Sequence, residues 1–178
     1  MPGPGEHFFE VVRDALGGLP FVAEDLGLVT DEVRALRDRF ELPGMRILQF
    51  SFGQYEGAIA HRPHAYTARS VVYTGTHDND TTRGWLEDAT VATESALARR
   101  YCGGGDAEPW WDLVRMAELC PSALAIVPMQ DVLGLGTTAR MNVPGTTENN
   151  WRWRMRADAL STDVAKRLRE LSEMYGRA

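Results

Sequence analysis

Four short apolar runs, each followed closely by polar residues, alternate with helix-like segments along this chain of 178 residues. The runs cover residues 19–23, 46–52, 70–75 and 123–127. Short apolar runs bounded by turn-forming residues are typical of buried parallel strands, whose two faces are both covered. Strands that alternate with helices predict parallel β/α units, in either an open doubly wound sheet or part of a (β/α)8 barrel. A complete barrel is excluded, because it needs eight strands and about 250 residues.

Helical periodicity in the intervals predicts helices over residues 8–16, 30–40, 91–101, 108–119 and 161–175. The first of these helices has an apolar face that includes Phe8 and Val11. Thr30, Thr90 and Ser161 lie at predicted helix starts, where their hydroxyl groups can accept hydrogen bonds from backbone amides. We therefore expect these three residues to be helix caps.

Composition excludes several classes of protein. The net charge of −6 and the absence of a long basic run argue against a general nucleic-acid binder. No apolar stretch approaches the roughly 20 residues that span a bilayer, and residues 1–7 lack the features of a signal peptide. Cys102 and Cys120 are too few for a disulfide scaffold and lack metal-ligand spacing. We expect a cytoplasmic protein that binds neither membranes nor nucleic acid and holds no metal or cofactor.

Polar residues just after the runs are the candidates for a site, because ligands bind at the carboxyl ends of parallel strands in both architectures. The densest cluster covers residues 77–82. A calcium loop starting at Asp78 fails, because its sixth position is Arg83 and its twelfth is Ala89. A turn with a helix cap at Asp80 or Thr81 explains part of the cluster. A sugar or another hydroxylated ligand would use the remaining donors and acceptors.

Two acidic residues, Glu24 and Asp25, directly follow the first run. Low-dielectric surroundings raise the pKa of a carboxyl group at such a place and suit it to general-acid catalysis. A loop acid or a cap for the next segment is the alternative interpretation. Asn142, beyond the fourth run, either donates to a ligand hydroxyl or stabilises a turn.

Two further motifs favour structural interpretations. Residues 134–139 formally match a dinucleotide-binding fingerprint, but Pro144 and Gly145 interrupt the helix that this motif must open, so a tight turn is favoured. The alternation of tryptophan and arginine over residues 151–154 is found in single-stranded nucleic-acid binders. At this net charge, we expect tryptophans packed inward and arginines paired outward.

Six motifs in fixed order carry a resemblance to a known family. They are AEDLG (23–27), LPGMRILQF (42–50), VVYTGTHDNDTT (71–82), QDVLGLG (130–136), RMNVPGT (140–146) and NWRWR (150–154). Together they resemble the carboxyl-terminal part of the 4-alpha-glucanotransferases (amylomaltases, disproportionating enzymes) of glycoside hydrolase family 77. The resemblance runs from about residue 4 to residue 154. It implies the carboxyl-terminal half of a (β/α)8 barrel, four β/α units in one partial catalytic domain over residues 1–178, with the amino-terminal half missing.

The resemblance also implies a reaction, in which α-1,4-glucan segments move to glucose, maltooligosaccharides or longer glucans by a retaining double displacement. Glu24 would be the general acid/base and Asp78 would stabilise the transition state, with His77, Asp25 and Asn142 in substrate binding. A retaining mechanism requires an acid and a nucleophile about 5 Å apart across the sugar.

The chain departs from the family in two places. The Arg-Ile-Asp-His-Phe type motif that carries the nucleophile is absent, so we expect no nucleophile in this chain and no activity from it alone. We expect either a fragment or a half that assembles with a separate amino-terminal chain, with exposed strand edges and apolar faces.

The second departure is in a loop. Asn149 stands where the family usually has glycine before Asn-Trp, which leaves the local loop geometry open. A retaining α-glucan hydrolase of the same clan and a non-catalytic glucan-binding remnant remain alternatives.

Overall fold

A computed structural model of the chain describes residues 3–55, 58–105 and 107–177. Its sheet contains three parallel strands, β1 (Gly44–Ile47), β2 (Ser70–Tyr73) and β3 (Leu124–Ile126), in the order β1-β2-β3. Ala23 adds a single parallel bridge to Gly44, on the other side of β1 from β2. The four apolar runs therefore lie side by side in chain order, which confirms the predicted parallel α/β arrangement.

All four predicted strands are shorter in the structure, and the first two differ most from the prediction. The first run contributes only the bridge at Ala23. The second pairs only as far as Ile47, and Leu48–Phe50 form a 3₁₀ turn. Leu48 and Phe52 are fully buried in the main hydrophobic cluster. The apolar character of residues 48–52 thus reflects this packing rather than strand pairing, and periodicity alone does not separate the two.

Seven α-helices surround the sheet in the described ranges: α1 (Glu6–Leu16), α2 (Asp31–Arg39), α3 (Thr82–Glu87), α4 (Ala92–Cys102), α5 (Pro109–Leu119), α6 (Met129–Val132) and α7 (Thr162–Met174). Thr30 caps α2 and Ser161 caps α7, as predicted, with Oγ accepting from the amides of Val33 and Val164. Thr81 caps α3 by accepting from Gly84 N at 3.1 Å.

The cap predicted at Thr90 is wrong. Its amide and its hydroxyl both donate to Asp88 Oδ1 at 2.8 Å, so Asp88 caps a short 3₁₀ turn, Ala89–Val91, that precedes α4. The side chain of Thr90 therefore takes part in the 3₁₀ turn that precedes α4 and not in a cap of α4 itself. Within the described ranges, no helix combines the length and the apolarity that crossing a membrane requires.

The main hydrophobic cluster packs the side of the sheet that carries Val72 against α3, α4 and α5. Val72, Leu113 and Ala117 are among its completely or almost completely buried members. A second cluster joins α5, α6 and α7 around Val114 and Leu171. Burial on this side fixes the position of the loops that follow β2 and β3.

Helix α1 has the predicted apolar face, yet most of that face is uncovered. Phe8 and Val11 are 49% and 52% exposed, and Leu16 is 61% exposed. Leu124 and Ile126 of β3 are also exposed, at 50% and 40%. These apolar surfaces agree with the expectation of uncovered faces in this chain.

Candidate functional site

The loop between β2 and α3 carries the densest polar cluster of the sequence. It begins with a tight turn, in which Asn79 Oδ1 accepts hydrogen bonds from Thr76 N at 2.9 Å and from Thr76 Oγ1 at 2.8 Å. The two residues between them, His77 and Asp78, have side chains that are 54% and 49% exposed. The turn therefore presents an imidazole and a carboxylate at the carboxyl edge of the sheet.

Asp78 is joined to a second segment, which follows β3. Asn142 Nδ2 donates to Asp78 Oδ1 at 2.6 Å, and His77 Nε2 lies 3.3 Å from the same oxygen. The backbone amide of Asn142 donates to His77 O at 3.1 Å. The structure thus brings together three of the five predicted site residues.

Sequence reasoning missed Arg140, which binds both segments. Its guanidinium donates to Asp78 O at 2.7 Å and to Asn142 O at 2.8 Å. The available signal was a cation two residues before Asn142 in a segment that follows a strand. Arg140 therefore fixes the backbone on which the carboxylate and the amide are mounted.

Asp131 was also missed, and it holds both ends of the β2–α3 loop. Its carboxylate is 1% exposed and accepts hydrogen bonds from Thr82 N at 2.6 Å, from Thr82 Oγ1 at 2.7 Å and from Thr74 Oγ1. Burial raises the pKa of Asp131, and this effect outweighs the hydrogen bonds that lower it. The signal in the sequence was a carboxylate just after the fourth apolar run.

Glu24 and Asp78 follow parallel strand segments and therefore leave the sheet at the same edge. The Ala23 bridge and β2 lie on opposite sides of β1. Two strand spacings, about 10 Å, separate the backbones from which the two carboxylates arise. Glu24 is exposed, so its carboxyl group is accessible at that edge.

Asp25 has a different environment from Glu24. Its side chain is 6% exposed and accepts from Met45 N at 2.7 Å, from Arg46 at 3.3 Å and from Arg37. Burial favours a higher pKa for this carboxyl group, but these hydrogen bonds and the charge of Arg46 lower it. A Cβ on Gly44 would lie 2.3 Å from Asp25 Oδ2, so glycine allows the close approach. These contacts fasten the first run to β1, and the substrate-binding role of Asp25 stays a prediction.

The segment that follows Asn142 also differs from its predicted form. Trp151, expected to pack inward, is 52% exposed, and its ring centroid lies 5.1 Å from that of His77. Arg154, expected to pair outward, donates to the carbonyl oxygens of Trp151 and Trp153 at 3.0 and 2.8 Å. Asn149 has a φ of 60°, in the left-handed region that glycine adopts most easily. Asparagine also tolerates this conformation, which accounts for its presence at this position.

The turn interpretation of residues 134–139 is confirmed. Gly134 has a φ of 62° and follows α6, and Thr137–Ala139 form one 3₁₀ turn rather than the helix that a dinucleotide-binding fingerprint must open. A small cavity of about 130 Å³ lies between the β2–α3 loop and residues on either side of this turn, lined by His77, Asp80 and Arg140 among others.

A second, larger cavity of about 430 Å³ lies beside Asp25, with Phe50 and Tyr55 in its lining. The described residues contain no group of three or more His, Cys, Asp or Glu side chains arranged for a metal ion. What the edge of the sheet offers is a set of hydrogen-bonding groups: a carboxylate, an amide, an imidazole and the accessible Glu24. Such a set suits a ligand rich in hydroxyl groups.

Comparisons with known proteins agree with this chemistry. The model of glycoside hydrolase family 77, described as 4-alpha-glucanotransferase, matches residues 1–161. The chain is 46% identical over 99% of its length to 4-alpha-glucanotransferases from Synechocystis and from Thermus thermophilus. It spans 35% and 37% of the lengths of these two relatives.

Solved structures give a matching result. The chain superposes with a TM-score of 0.92 on an amylomaltase from Streptococcus agalactiae solved in complex with acarbose. That match has 35% identity and covers 100% of this chain and 36% of the other. An amylomaltase from Corynebacterium glutamicum matches with a TM-score of 0.56 and 25% identity, over 88% of this chain and 27% of that one.

Proposed function

The chain belongs to the 4-alpha-glucanotransferase family, glycoside hydrolase family 77, and we propose that it forms part of an enzyme that transfers α-1,4-glucan segments. The acceptors are glucose, maltooligosaccharides and longer glucans. The observation that carries the proposal is the junction of His77, Asp78 and Asn142 at the sheet edge from which Glu24 also leaves. The acarbose complex of the Streptococcus agalactiae amylomaltase supports an oligosaccharide ligand for this edge.

In this mechanism, Glu24 first protonates the glycosidic oxygen of the donor, so that the bond to the leaving sugar breaks. It then takes the proton from the 4-hydroxyl of the acceptor as that oxygen attacks the glycosyl-enzyme intermediate. The nucleophile that forms the intermediate is a carboxylate outside the sequence of this chain. Retention of configuration follows, because two displacements each invert the anomeric carbon.

Asp78 stabilises the oxocarbenium-like transition state. Its Oδ1 is held by Asn142, so the orientation of the carboxylate is set before the sugar arrives. The half-exposed carboxylate then presents its other oxygen to hydroxyl groups of the donor sugar, and His77 donates to the same ring. Hydrogen bonds to sugar hydroxyls that strengthen in the transition state contribute several kcal/mol in glycosidases.

The strand order supports an architecture for the complete enzyme. Four parallel segments that neighbour each other in chain order, with helices between them, are what consecutive units of a (β/α)8 barrel look like. We assign them to the carboxyl-terminal half of such a barrel. In a barrel the catalytic groups lie at the carboxyl ends of the strands, where this chain has Glu24 and Asp78.

The test uses a chimera in which this chain replaces the corresponding carboxyl-terminal part of the Thermus thermophilus relative, to which it is 46% identical. With maltotriose as the substrate, the chimera should release glucose and accumulate longer maltooligosaccharides. Accumulation of shorter sugars alone would indicate hydrolysis instead of transfer. Binding of maltooligosaccharides without turnover would indicate a non-catalytic protein.

Glu24→Gln removes the proton of the general acid and should lower kcat of the chimera by about 10²–10⁴-fold. The matched control is Glu173→Gln, the same change on an exposed residue of α7, which should keep wild-type turnover. Wild-type turnover in the Glu24→Gln chimera would contradict the role of Glu24.

A further inference from the structure

Trp151 has a backbone conformation that is unfavourable for its residue type. Its φ of 62° lies in the left-handed region, where the Cβ of an L-residue approaches the following carbonyl oxygen. Glycine adopts this region readily and asparagine tolerates it, whereas a bulky aromatic residue there is an outlier. Strain of this kind persists only where the surroundings impose it, and it concentrates at functional sites.

The hydrogen bonds that impose this strain connect Trp151 and its neighbours to the segment that carries Asn142. Trp151 N donates to Met141 O at 2.6 Å, and Arg154 donates to Trp151 O at 3.0 Å. Asn150 Oδ1 accepts from Val143 N at 2.9 Å. The two neighbours of Asn142 in the chain are therefore hydrogen-bonded to Trp151 and to Asn150. These bonds hold the backbone that carries the indole.

The indole contacts His77. The two ring centroids are 5.1 Å apart and the ring planes are inclined by 36°, within the range in which aromatic pairs attract each other. Because the imidazole is half exposed on a loop, core packing does little to orient it. Its Nε2 nevertheless lies 3.3 Å from Asp78 Oδ1. The contact with Trp151 is a restraint that keeps the imidazole beside the carboxylate.

We propose that Trp151 is a positioning residue that fixes the imidazole of His77 beside Asp78. This role rests on the proposed function, because it places Trp151 in the same sugar-binding site. The strain at Trp151 has a reason in this assignment, because the residue that is held in the left-handed conformation is the one whose ring contacts His77.

The direct test is the NMR resonance of His77 Hε1 in this chain, assigned by its loss in His77→Asn. The ring current of a neighbouring indole shifts this resonance, so Trp151→Leu should move it and Trp151→Phe should move it less. An unchanged His77 resonance in Trp151→Leu would overturn the assignment, and this readout does not depend on transferase activity.

The second test compares variants of the chimera. Trp151→Leu should lower kcat by about ten- to a hundredfold with a smaller change in KM, because a misplaced group costs most in the transition state. Trp151→Phe should recover most of the loss. Trp151→Gly relieves the strain, so it should lower kcat without lowering the melting temperature, which a role in folding alone would not produce. Asn149→Gly, a change in the same loop that keeps the indole, is the control with wild-type kcat.

The outcomes separate the two proposals. Suppose that the folded wild-type chimera is inactive, while Trp151→Leu still moves the His77 resonance in this chain alone. This result would contradict the proposed function and support the contact. An active chimera in which Trp151→Leu keeps wild-type kcat would contradict the positioning role alone.

Discussion

Asn142 Nδ2 donates a 2.6 Å hydrogen bond to Asp78 Oδ1, although the two residues are 64 positions apart in the chain. The bond joins the loop after β2 to the segment after β3, at the edge where parallel strands end. Arg140 strengthens the junction through the carbonyl oxygens of the same two residues. In the structure Asn142 orients the carboxylate proposed to stabilise the transition state, and its predicted role in substrate binding stays a prediction.

Replacing Asn142 tests this orientation in the chimera. Asn142→Ala removes the donor to Asp78 and should lower kcat by about tenfold or more, since the carboxylate loses its fixed position. Asn142→Asp should be more damaging, because it brings two carboxylates together. Two adjacent carboxylates share a proton, and one pKa of the pair rises.

The pH dependence gives Asn142→Asp a distinctive signature. Because the raised pKa keeps the pair protonated to a higher pH, the acid limb of the kcat profile should move to higher pH. The measurement is kcat against pH for the wild-type chimera and both variants. An acid limb that stays in place in Asn142→Asp would contradict the contact with Asp78.

Asp131 should make the free energy of unfolding fall as pH rises, which is the opposite of what a carboxyl group with a lowered pKa does. Burial raises the pKa of this carboxyl group above its ordinary value of 3.8, so the folded protein binds its proton more tightly than the unfolded chain does. Its contribution to stability is therefore largest at low pH and falls as pH rises from about 3.8 towards the folded pKa. Asp131→Asn keeps the shape and removes the charge, and the hydroxyl groups of Thr74 and Thr82 can accept from the new amide.

The measurement is the free energy of unfolding of the wild type minus that of Asp131→Asn, across the acid range. This difference should decrease with rising pH. Asp88→Asn serves as a control of opposite sign, because hydrogen bonds from the amide and hydroxyl of Thr90 lower the pKa of Asp88. A wild-type advantage over Asp131→Asn that grows with pH would show that the carboxylate is not disfavoured by burial.

Asn149 should be replaceable by glycine but not by alanine. With φ at 60°, a residue that carries a Cβ is disfavoured unless it is asparagine or aspartate. Asn149→Ala should destabilise the protein by about 1 kcal/mol, whereas Asn149→Gly should lie within about 0.5 kcal/mol of the wild type. Denaturant unfolding measures both, and an alanine variant as stable as the wild type would exclude the left-handed conformation.

The uncovered face of α1 should control self-association of the isolated chain. Phe8 and Val11 are about half exposed, and apolar surface of this kind promotes contacts between molecules. Phe8→Ser with Val11→Ser should lower the concentration-dependent light scattering of the chain. Met174→Ser, a change at an exposed apolar residue of α7, is the matched control and should leave the scattering largely unchanged.

In the chimera, we expect the part supplied by the Thermus thermophilus relative to pack on α1, so the same double substitution should be destabilising there. There it should lower the melting temperature, because it removes apolar contacts that the isolated chain does not make. Equal scattering by the wild-type chain and the double variant would show that another surface drives association.

Local patterns in the sequence predicted the elements that depend on near neighbours. Thr30 and Ser161 cap their helices because a cap needs only a hydroxyl three residues before an amide. The run over residues 46–52 was predicted too long, since burial against helices and burial within a sheet produce the same apolar pattern. Thr90 was misassigned because its amide and its hydroxyl both donate to Asp88, two residues earlier, so its side chain is already used in that turn.

The residue types by themselves determined that strands and helices alternate and that polar side chains follow the strands, because apolar periodicity and turn chemistry act over a few residues. Only the tertiary structure decided which of these polar groups lie together at the edge of the sheet and which are enclosed. Adjacent carboxylates diverge, so that Glu24 is exposed while Asp25 is enclosed by two arginines. Trp151 joins the site through a left-handed backbone that no local pattern marks. The physical reason is that a side chain at a strand end takes its direction from partners dozens of residues away, which meet it only when the sheet has formed.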